Sequence, residues 1–180
     1  MRILPTGDNY TGHWLNEKKH GQGTYKWLLG NKYEGEWLND MRHGKGTFTW
    51  ADGDQYIGNF VMNKRHGDGK YIWTNGDVYE GDWYQNMKYG RGVFTQASGD
   101  SYEGDWLQDQ KHGQGVFSWK DGNRYVGNWE KDKKHGQGVY WWHSGNRYEG
   151  LWVDDVRKGY GVYTWKTGDC YEGDWVNNMK

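Results

Sequence analysis

The chain has 180 residues, 26% of them charged, with a formal net charge of −1, so it lacks the net basic field that phosphate-rich ligands select, which argues against nucleic acid as a partner. Leu, Ile, Val and Phe number only 24, a level that usually accompanies disorder, yet 14 Trp and 15 Tyr bring the aromatic share to 18%. Its apolar area therefore lies in flat rings, each able to bury about 150–250 Å², and the chain is expected to fold through rings rather than an aliphatic core.

Residues 1–9 read as a lead-in, the end of a partial repeat. They lack the apolar run of a signal peptide, and no later stretch approaches the roughly 18 apolar residues of a membrane span. Cys170 is the single cysteine, so no intrachain disulfide can form and a reducing compartment is the simpler reading. A soluble, cytoplasmic protein is expected.

From Tyr10 onward the sequence repeats. Tyr10, Tyr33, Tyr56, Tyr79, Tyr102, Tyr125, Tyr148 and Tyr171 follow one another at intervals of 23 residues without an insertion. Seven full repeats span 10–170, and an eighth begins at 171 and runs to 180. Numbering positions from each Tyr, position 3 is Gly throughout, position 5 is Trp except at Phe60, and positions 12 and 14 are Gly in every full repeat. Position 16 is Tyr or Phe, position 18 is Trp except at Gln96, position 21 is Gly and position 22 is Asn or Asp.

Within each repeat the elements are two short strands. Positions 1–5 alternate ring, polar, Gly, polar, ring, as in Tyr79-Glu80-Gly81-Asp82-Trp83, and positions 12–18 alternate as in Gly113 to Trp119. Period-two alternation marks strands with one apolar face. A polar turn such as Asn39-Asp40-Met41-Arg42 joins them, and the link to the next repeat carries hairpin signals at Asp52-Gly53, Asn75-Gly76 and Asp121-Gly122. The only proline, Pro5, lies outside the array, and no helical periodicity is present. The expected fold is all-β: an elongated, single-layer antiparallel meander of hairpins, some fifteen strands about 4.8 Å apart forming a twisted ribbon roughly 70 Å long.

A register follows as an expectation. If Trp37 opposes Gly44, then Gly35 faces Gly46 and Tyr33 faces Phe48, while across the preceding link Trp27 opposes Tyr33 and Gly23 opposes Trp37. The glycines would then leave room for the position 5 ring to lie flat on the sheet.

Tyr33-Glu34-Gly35-Glu36-Trp37 followed by His43-Gly44-Lys45-Gly46 resembles the MORN-repeat family, whose core pattern looks like Tyr-x-Gly-x-Trp, a short variable stretch, then His-Gly-x-Gly. The resemblance covers essentially the whole chain. It implies a meandering single-layer sheet and roles in scaffolding, self-association and tethering at membranes or cytoskeleton. Lys18 to Gly23 and Lys133 to Gly138 are similar to segments of ciliary radial-spoke-head MORN proteins, which implies an axonemal setting. Tyr89 and Lys158 in place of His, together with Phe60 and Gln96, depart from the pattern.

Candidate chemistry is sparse. The position 11 histidines (His20, His43, His66, His112, His135) recur about 9.6 Å apart, two strand spacings, too far for neighbours to share one zinc ion. The Gly-x-Gly at positions 12–14 lacks the helix a phosphate loop requires. No catalytic set, cofactor or metal is expected, because each candidate group belongs to the repeat while catalysis needs a unique constellation.

Two features remain as binding candidates. Position 10 is basic throughout (Lys19, Arg42, Arg65, Lys88, Lys111, Lys134, Arg157 and Lys180), a ladder suited to anionic lipid or an acidic protein surface, or else a solubilising charge balanced by acids at positions 2 and 4. Position 18 provides a row of Trp27, Trp50, Trp73, Trp119, Trp142 and Trp165, and exposed aromatic stripes mark interaction sites. The leading expectation is a scaffold that binds a protein segment along this aromatic face, in a cytoskeletal or axonemal assembly. Unpaired sheet edges would add self-association as a second mode. The rivals are a peripheral membrane module, and a carbohydrate- or choline-binding repeat; choline-binding arrays carry Gly-Trp and Trp-Tyr pairs on a shorter period.

Overall fold

A computed structural model describes residues 2–180, with Met1 outside the described residues. Only strands and turns are present among them, and no helix is long and apolar enough to cross a membrane. The chain divides into two compact units, one ending at Lys88 and one starting at Tyr89. The first contains β1 (Arg2–Ile3), β2 (Asn9–Leu15), β3 (Lys18–Lys26), β4 (Lys32–Leu38), β5 (Met41–Thr49), β6 (Gln55–Val61), β7 (Lys64–Ile72) and β8 (Val78–Tyr84). The second holds most of β9 (Met87–Thr95), then β10 (Ser101–Leu107), β11 (Gln110–Ser118), β12 (Arg124–Glu130), β13 (Lys133–Trp141), β14 (Arg147–Val153), β15 (Val156–Thr164) and β16 (Cys170–Trp175). Within each unit every strand pairs antiparallel with the next one in the chain, and the sheet is a single layer.

Each repeat is one hairpin with a two-residue turn at positions 7 and 8. Asn39 and Asp40 take φ of 48° and 70°, and Leu38 pairs with Met41, the two positive values of a type I′ turn. Asn and Asp tolerate this region best, yet Met62 and Lys131 also occupy it, at 46° and 48°. The Asp-Gly and Asn-Gly signals sit elsewhere, in the links. There Gly53 (φ 99°) donates to the Trp50 carbonyl and Trp50 donates to that of Asp54, a three-residue loop with glycine in the left-handed position.

The expected register holds in part. Tyr33 faces Phe48 and Gly35 faces Gly46. Trp37, however, pairs with Arg42 rather than Gly44. A bulge at Gly44 (φ 62°) sets His43, Gly44 and Lys45 against Glu36 alone, and the Lys45 amide that it releases donates to the Glu36 carboxylate at 3.0 Å. Across the link the expected pairing is wrong by two residues: Tyr25 faces Tyr33 and Gly21 faces Trp37. The hairpin error arises from treating the glycines of positions 12 and 14 alike, although only position 12 adopts a positive φ; the link error arises from the loop, which Trp27 closes by donating to the Asn31 carbonyl, so that Trp27 cannot face Tyr33.

The correct register lines up the glycines of positions 3 and 14 in one row. In the first unit Gly12, Gly23, Gly35, Gly46, Gly58, Gly69 and Gly81 pair successively across the sheet. The ring that covers this row is the position 1 tyrosine, not the position 5 tryptophan. Tyr33 is fully buried, and a Cβ on Gly46 would lie 2.5 Å from its Cε2 atom. Its hydroxyl donates to the Glu36 carbonyl at 2.9 Å, and burial pushes its pKa well above the ordinary tyrosine value. Trp37 meets the same row from the neighbouring strand, its indole N–H donating to the Gly23 carbonyl at 3.1 Å. Tyr33 and Trp37 pack edge to face at 5.1 Å. This unit recurs, and rings take the place that a second layer fills in a sandwich.

Candidate functional site

Strand alternation places positions 1, 5, 16 and 18 on one face of the sheet, and the acidic and polar residues of positions 2, 4 and 13 on the other. On the aromatic face the position 18 tryptophans follow the ends of the second strands, half-buried. In the first unit Tyr25, Trp27, Phe48, Trp50, Tyr71 and Trp73 form an unbroken stack with successive centroids 4.5, 5.3, 4.5, 5.1 and 4.4 Å apart. In the second, Phe117, Trp119, Tyr140, Trp142, Tyr163 and Trp165 do the same at 4.4, 5.3, 4.6, 5.4 and 4.9 Å. Half of each stack consists of position 16 rings, which the sequence presented only as strand residues.

The position 10 cations do not project from the turns. They fold back over the aromatic face, and Arg42, Lys111, Lys134 and Arg157 each lie across rings of their own and the following repeat. Arg42 lies 4.8 Å from the Phe48 ring centroid and 5.4 Å from Phe60. Lys111 lies 4.9 Å from Trp129, Lys134 5.4 Å from Trp152 and Arg157 4.4 Å from Trp175. Lys19 lies 5.3 Å from Trp37, Arg65 4.3 Å from Trp83 and Lys88 5.6 Å from Tyr79. Cation–π contacts of this kind contribute about 0.5–1 kcal/mol each. Burial lowers the pKa of Arg42, and the charge of Arg65 pushes it the same way; burial also lowers that of Lys111, with Asp132 opposing.

What holds each cation down is the position 8 residue one repeat further on. Asp40 accepts the Lys19 amide at 2.9 Å and its own amide donates to the Lys19 carbonyl at 3.0 Å, so consecutive hairpins are stapled at this edge. Asn63 serves Arg42, Asn86 serves Arg65, Asp132 serves Lys111, Asp155 serves Lys134 and Asn178 serves Arg157. In these six rungs lysine is served by Asp and arginine by Asn. At the opposite edge position 22 does the same work: Asn31 accepts the Ala51 amide and Asp54 the Thr74 amide, both at 2.9 Å. The second oxygen of Asp54 takes the Tyr71 hydroxyl at 2.8 Å, and these bonds hold the Asp54 carboxyl below the usual carboxylate range.

Grooves open between the cations and the stack. One of about 210 Å³ is lined by Lys19, Tyr25, Trp27, Trp37, Asp40, Arg42 and Asn63. Another of about 370 Å³ is lined by Arg42, Phe48, Trp50, Phe60, Asn63, Arg65 and Asn86. The other face has broader hollows over the glycine row, near Lys45, Ile57, Asp68, Lys70 and Glu80. Among the described residues no group of three or more His, Cys, Asp or Glu is placed to hold a metal ion. The Nδ1 atoms of His20, His43 and His135 are buried without a hydrogen-bond partner.

The sequence profile described as MORN repeat matches residues 10–27, 33–55, 56–78, 79–101, 102–124, 125–147, 148–170 and 171–180. No curated protein matches the sequence. Among solved structures the chain is similar to the TCP domain of SAS-4 (dCPAP) of Drosophila melanogaster, determined in complex with a proline-rich motif of Ana2 (dSTIL). That match has a TM-score of 0.56 at 10% identity and covers 97% of this chain and 95% of that one. It is also similar to the G-box domain of the microcephaly protein CPAP, described with a suggested role in centriole elongation, with a TM-score of 0.51 at 9% identity over 97% of both chains. At such identities the likeness is one of fold. The profile matches account for nearly the whole chain, and the chain belongs to the MORN-repeat family.

Proposed function

We propose that this chain is a non-enzymatic scaffold that holds segments of partner proteins along its aromatic face. The observation that carries this reading is the pair of six-ring stacks, whose tryptophans are half-buried with no second layer laid over them. Aromatic rings set in a groove supply contact area at little entropic cost and recur as binding hot spots. The similarly folded TCP domain, whose structure contains a proline-rich motif of another protein, supports a peptide as the class of ligand. The same likeness, with the centriolar role suggested for the G-box domain, supports a cytoskeletal setting, and the segments around His20 and His135 extend the proposal to a ciliary axoneme of the radial-spoke kind.

Substituting Trp119 and Trp142 together by Ala tests the reading. Partner binding, measured against proteins recovered from a ciliated or centriolar extract and then purified, is expected to vanish while the far-UV CD spectrum persists. Undiminished binding with both rings gone refutes the assignment of the face. The competing lipid reading draws on the position 10 cations; flotation with and without anionic lipid separates the two.

A further inference from the structure

The two kinds of cationic rung differ in net charge. Lys19 and Lys134 hold the carboxylates of Asp40 and Asp155 at 3.1 and 2.9 Å, so those rungs are neutral. Arg42 meets an amide instead: its Nη2 donates to the Asn63 carbonyl at 2.9 Å and its Nε to Asn63 Oδ1 at 3.4 Å. Among the described residues Nη1 takes no protein acceptor, and no carboxylate comes within ion-pairing distance of the guanidinium. The charge is held between the rings of Phe48 and Phe60 at the side of the 370 Å³ groove that also includes Trp50. A cation withdrawn from water with no counter-charge is costly. The depressed pKa of Arg42, caused first by burial and then by Arg65, expresses that cost.

Building on the aromatic-face reading above, we propose that the groove beside Arg42 reads an acidic side chain, Asp or Glu, within an extended protein segment whose apolar residues rest on the half-buried Trp50. The guanidinium fork suits a carboxylate, and charge-assisted bonds are the stronger kind. A peptide is favoured over a membrane because the guanidinium lies along the rings within a groove, where a carboxylate on a short methylene stem reaches it, rather than projecting toward a headgroup plane. Neutral Lys–Asp rungs elsewhere on the face would take neutral stretches of the same segment, so the alternation of rung types sets where its acidic residues fall.

The test selects phage-displayed random dodecamer peptides on the full chain, then titrates the enriched peptides as synthetic, labelled molecules by fluorescence polarisation. Three variants are compared. Arg42→Gln removes the charge. Asn63→Asp keeps the acceptor for the Arg42 amide and neutralises the rung in the manner of Lys19 and Asp40, so it guards against a folding artefact. Trp50→Ala removes a ring of the groove. Enriched peptides are expected to carry Asp or Glu and to lose at least about tenfold in affinity with either charge variant. Peptides that need Trp50 but show no acidic enrichment, or that bind both charge variants undiminished, overturn the proposal and leave the aromatic-face reading standing. Peptides indifferent to Trp50→Ala overturn the aromatic-face reading itself. Vesicles containing phosphatidylserine form the last arm: vesicle binding weakened by both charge variants, with no acidic peptide enriched, assigns the charge to lipid and overturns the peptide.

Discussion

Replacing Gly46 by Ala should test the central packing idea, because the three atoms nearest to the new Cβ all belong to one side chain. Its nearest neighbours are the hydroxyl, Cε2 and Cζ of Tyr33, the two carbons at 2.5 and 2.6 Å. Carbon atoms rest about 3.5–4.0 Å apart, so the ring must move by about 1 Å or more. It is confined by Trp37 at 5.1 Å, Phe60 at 5.2 Å and the Arg42 guanidinium at 5.9 Å. Expelling the ring would expose about 150–250 Å², some 4–6 kcal/mol at about 25 cal/mol per Å², and would lose a hydrogen bond worth about 1 kcal/mol. Partial displacement lowers this, and the lower chain entropy of Ala returns about 0.5–1 kcal/mol. A net loss of about 2–4 kcal/mol is expected, read from urea denaturation followed by CD, taking the first transition where the repeat array unfolds in stages. In a Tyr33→Ala background the same substitution should cost less than about 0.5 kcal/mol, a coupling of at least about 2 kcal/mol. Gly35→Ala provides the contrast. Its Cβ would strike the Gly46 Cα and the Lys45 carbonyl, both at 2.5 Å, so its cost should survive removal of Tyr33. An equal cost for Gly46→Ala in both backgrounds refutes the role given to the ring.

Two further predictions follow from the same unit. Phe60 stands where six other repeats donate an indole N–H to a glycine carbonyl at 3.0–3.3 Å, so Phe60→Trp should bond the Gly46 carbonyl and raise stability by about 0.5–1.5 kcal/mol; a lower urea midpoint would show that the site has no room for the larger ring. Burial raises the folded-state pKa of Tyr33, Tyr56, Tyr102 and Tyr125, and that of Tyr25, also bonded to Asp8, to about 12. The unfolded value is about 10, so their contribution is complete below pH ~10 and drains away as pH climbs through the folded values. The fraction of tyrosinate absorbance due to these residues should appear only as the far-UV CD signal collapses, and ionisation near pH ~10 with the sheet intact would contradict their burial.

The 23-residue period, the two strands per repeat and the pairing of Tyr33 with Phe48 could all be read from the sequence, because alternation fixes which residues share a face and the constant interval fixes the repeat. The bulge could not. His-Gly-x-Gly shows two glycines that look alike, and only their φ values reveal that position 12 inserts extra residues and shifts every pairing beyond it. The turns were misleading in the other direction: tight type I′ turns occur at pairs such as Met62-Asn63 and Lys131-Asp132, which carry no glycine. For the candidate site, the tryptophan row was legible by period alone. The posture of the cations was not, since a basic residue beside a turn reads as solvated charge. Its burial depends on a partner in the next hairpin, 21 residues away along the chain, and the match of lysine with Asp and arginine with Asn has meaning only after those residues are known to touch.

That match bears on how a repetitive surface could discriminate at all. Tyrosines over glycines, indoles bonded to glycine carbonyls and staples at both edges recur with the period, so they set stability equally along the array and distinguish no location on it. Selectivity has to come from what breaks the period. On the aromatic face the breaks are Phe60, Gln96 and the exchange of neutral lysine rungs for charged arginine ones. On the opposite face Trp141 takes a position that is Lys26, Thr49 or Ser118 in other repeats, and lies between Arg124 at 5.6 Å and Arg147 at 5.7 Å. Among the described residues, of these two only Arg147 holds a carboxylate, Glu149 at 2.6 Å. None of these departures is needed to form a hairpin, because the neighbouring repeats fold without them, and residues that the fold does not require are the ones free to serve a ligand.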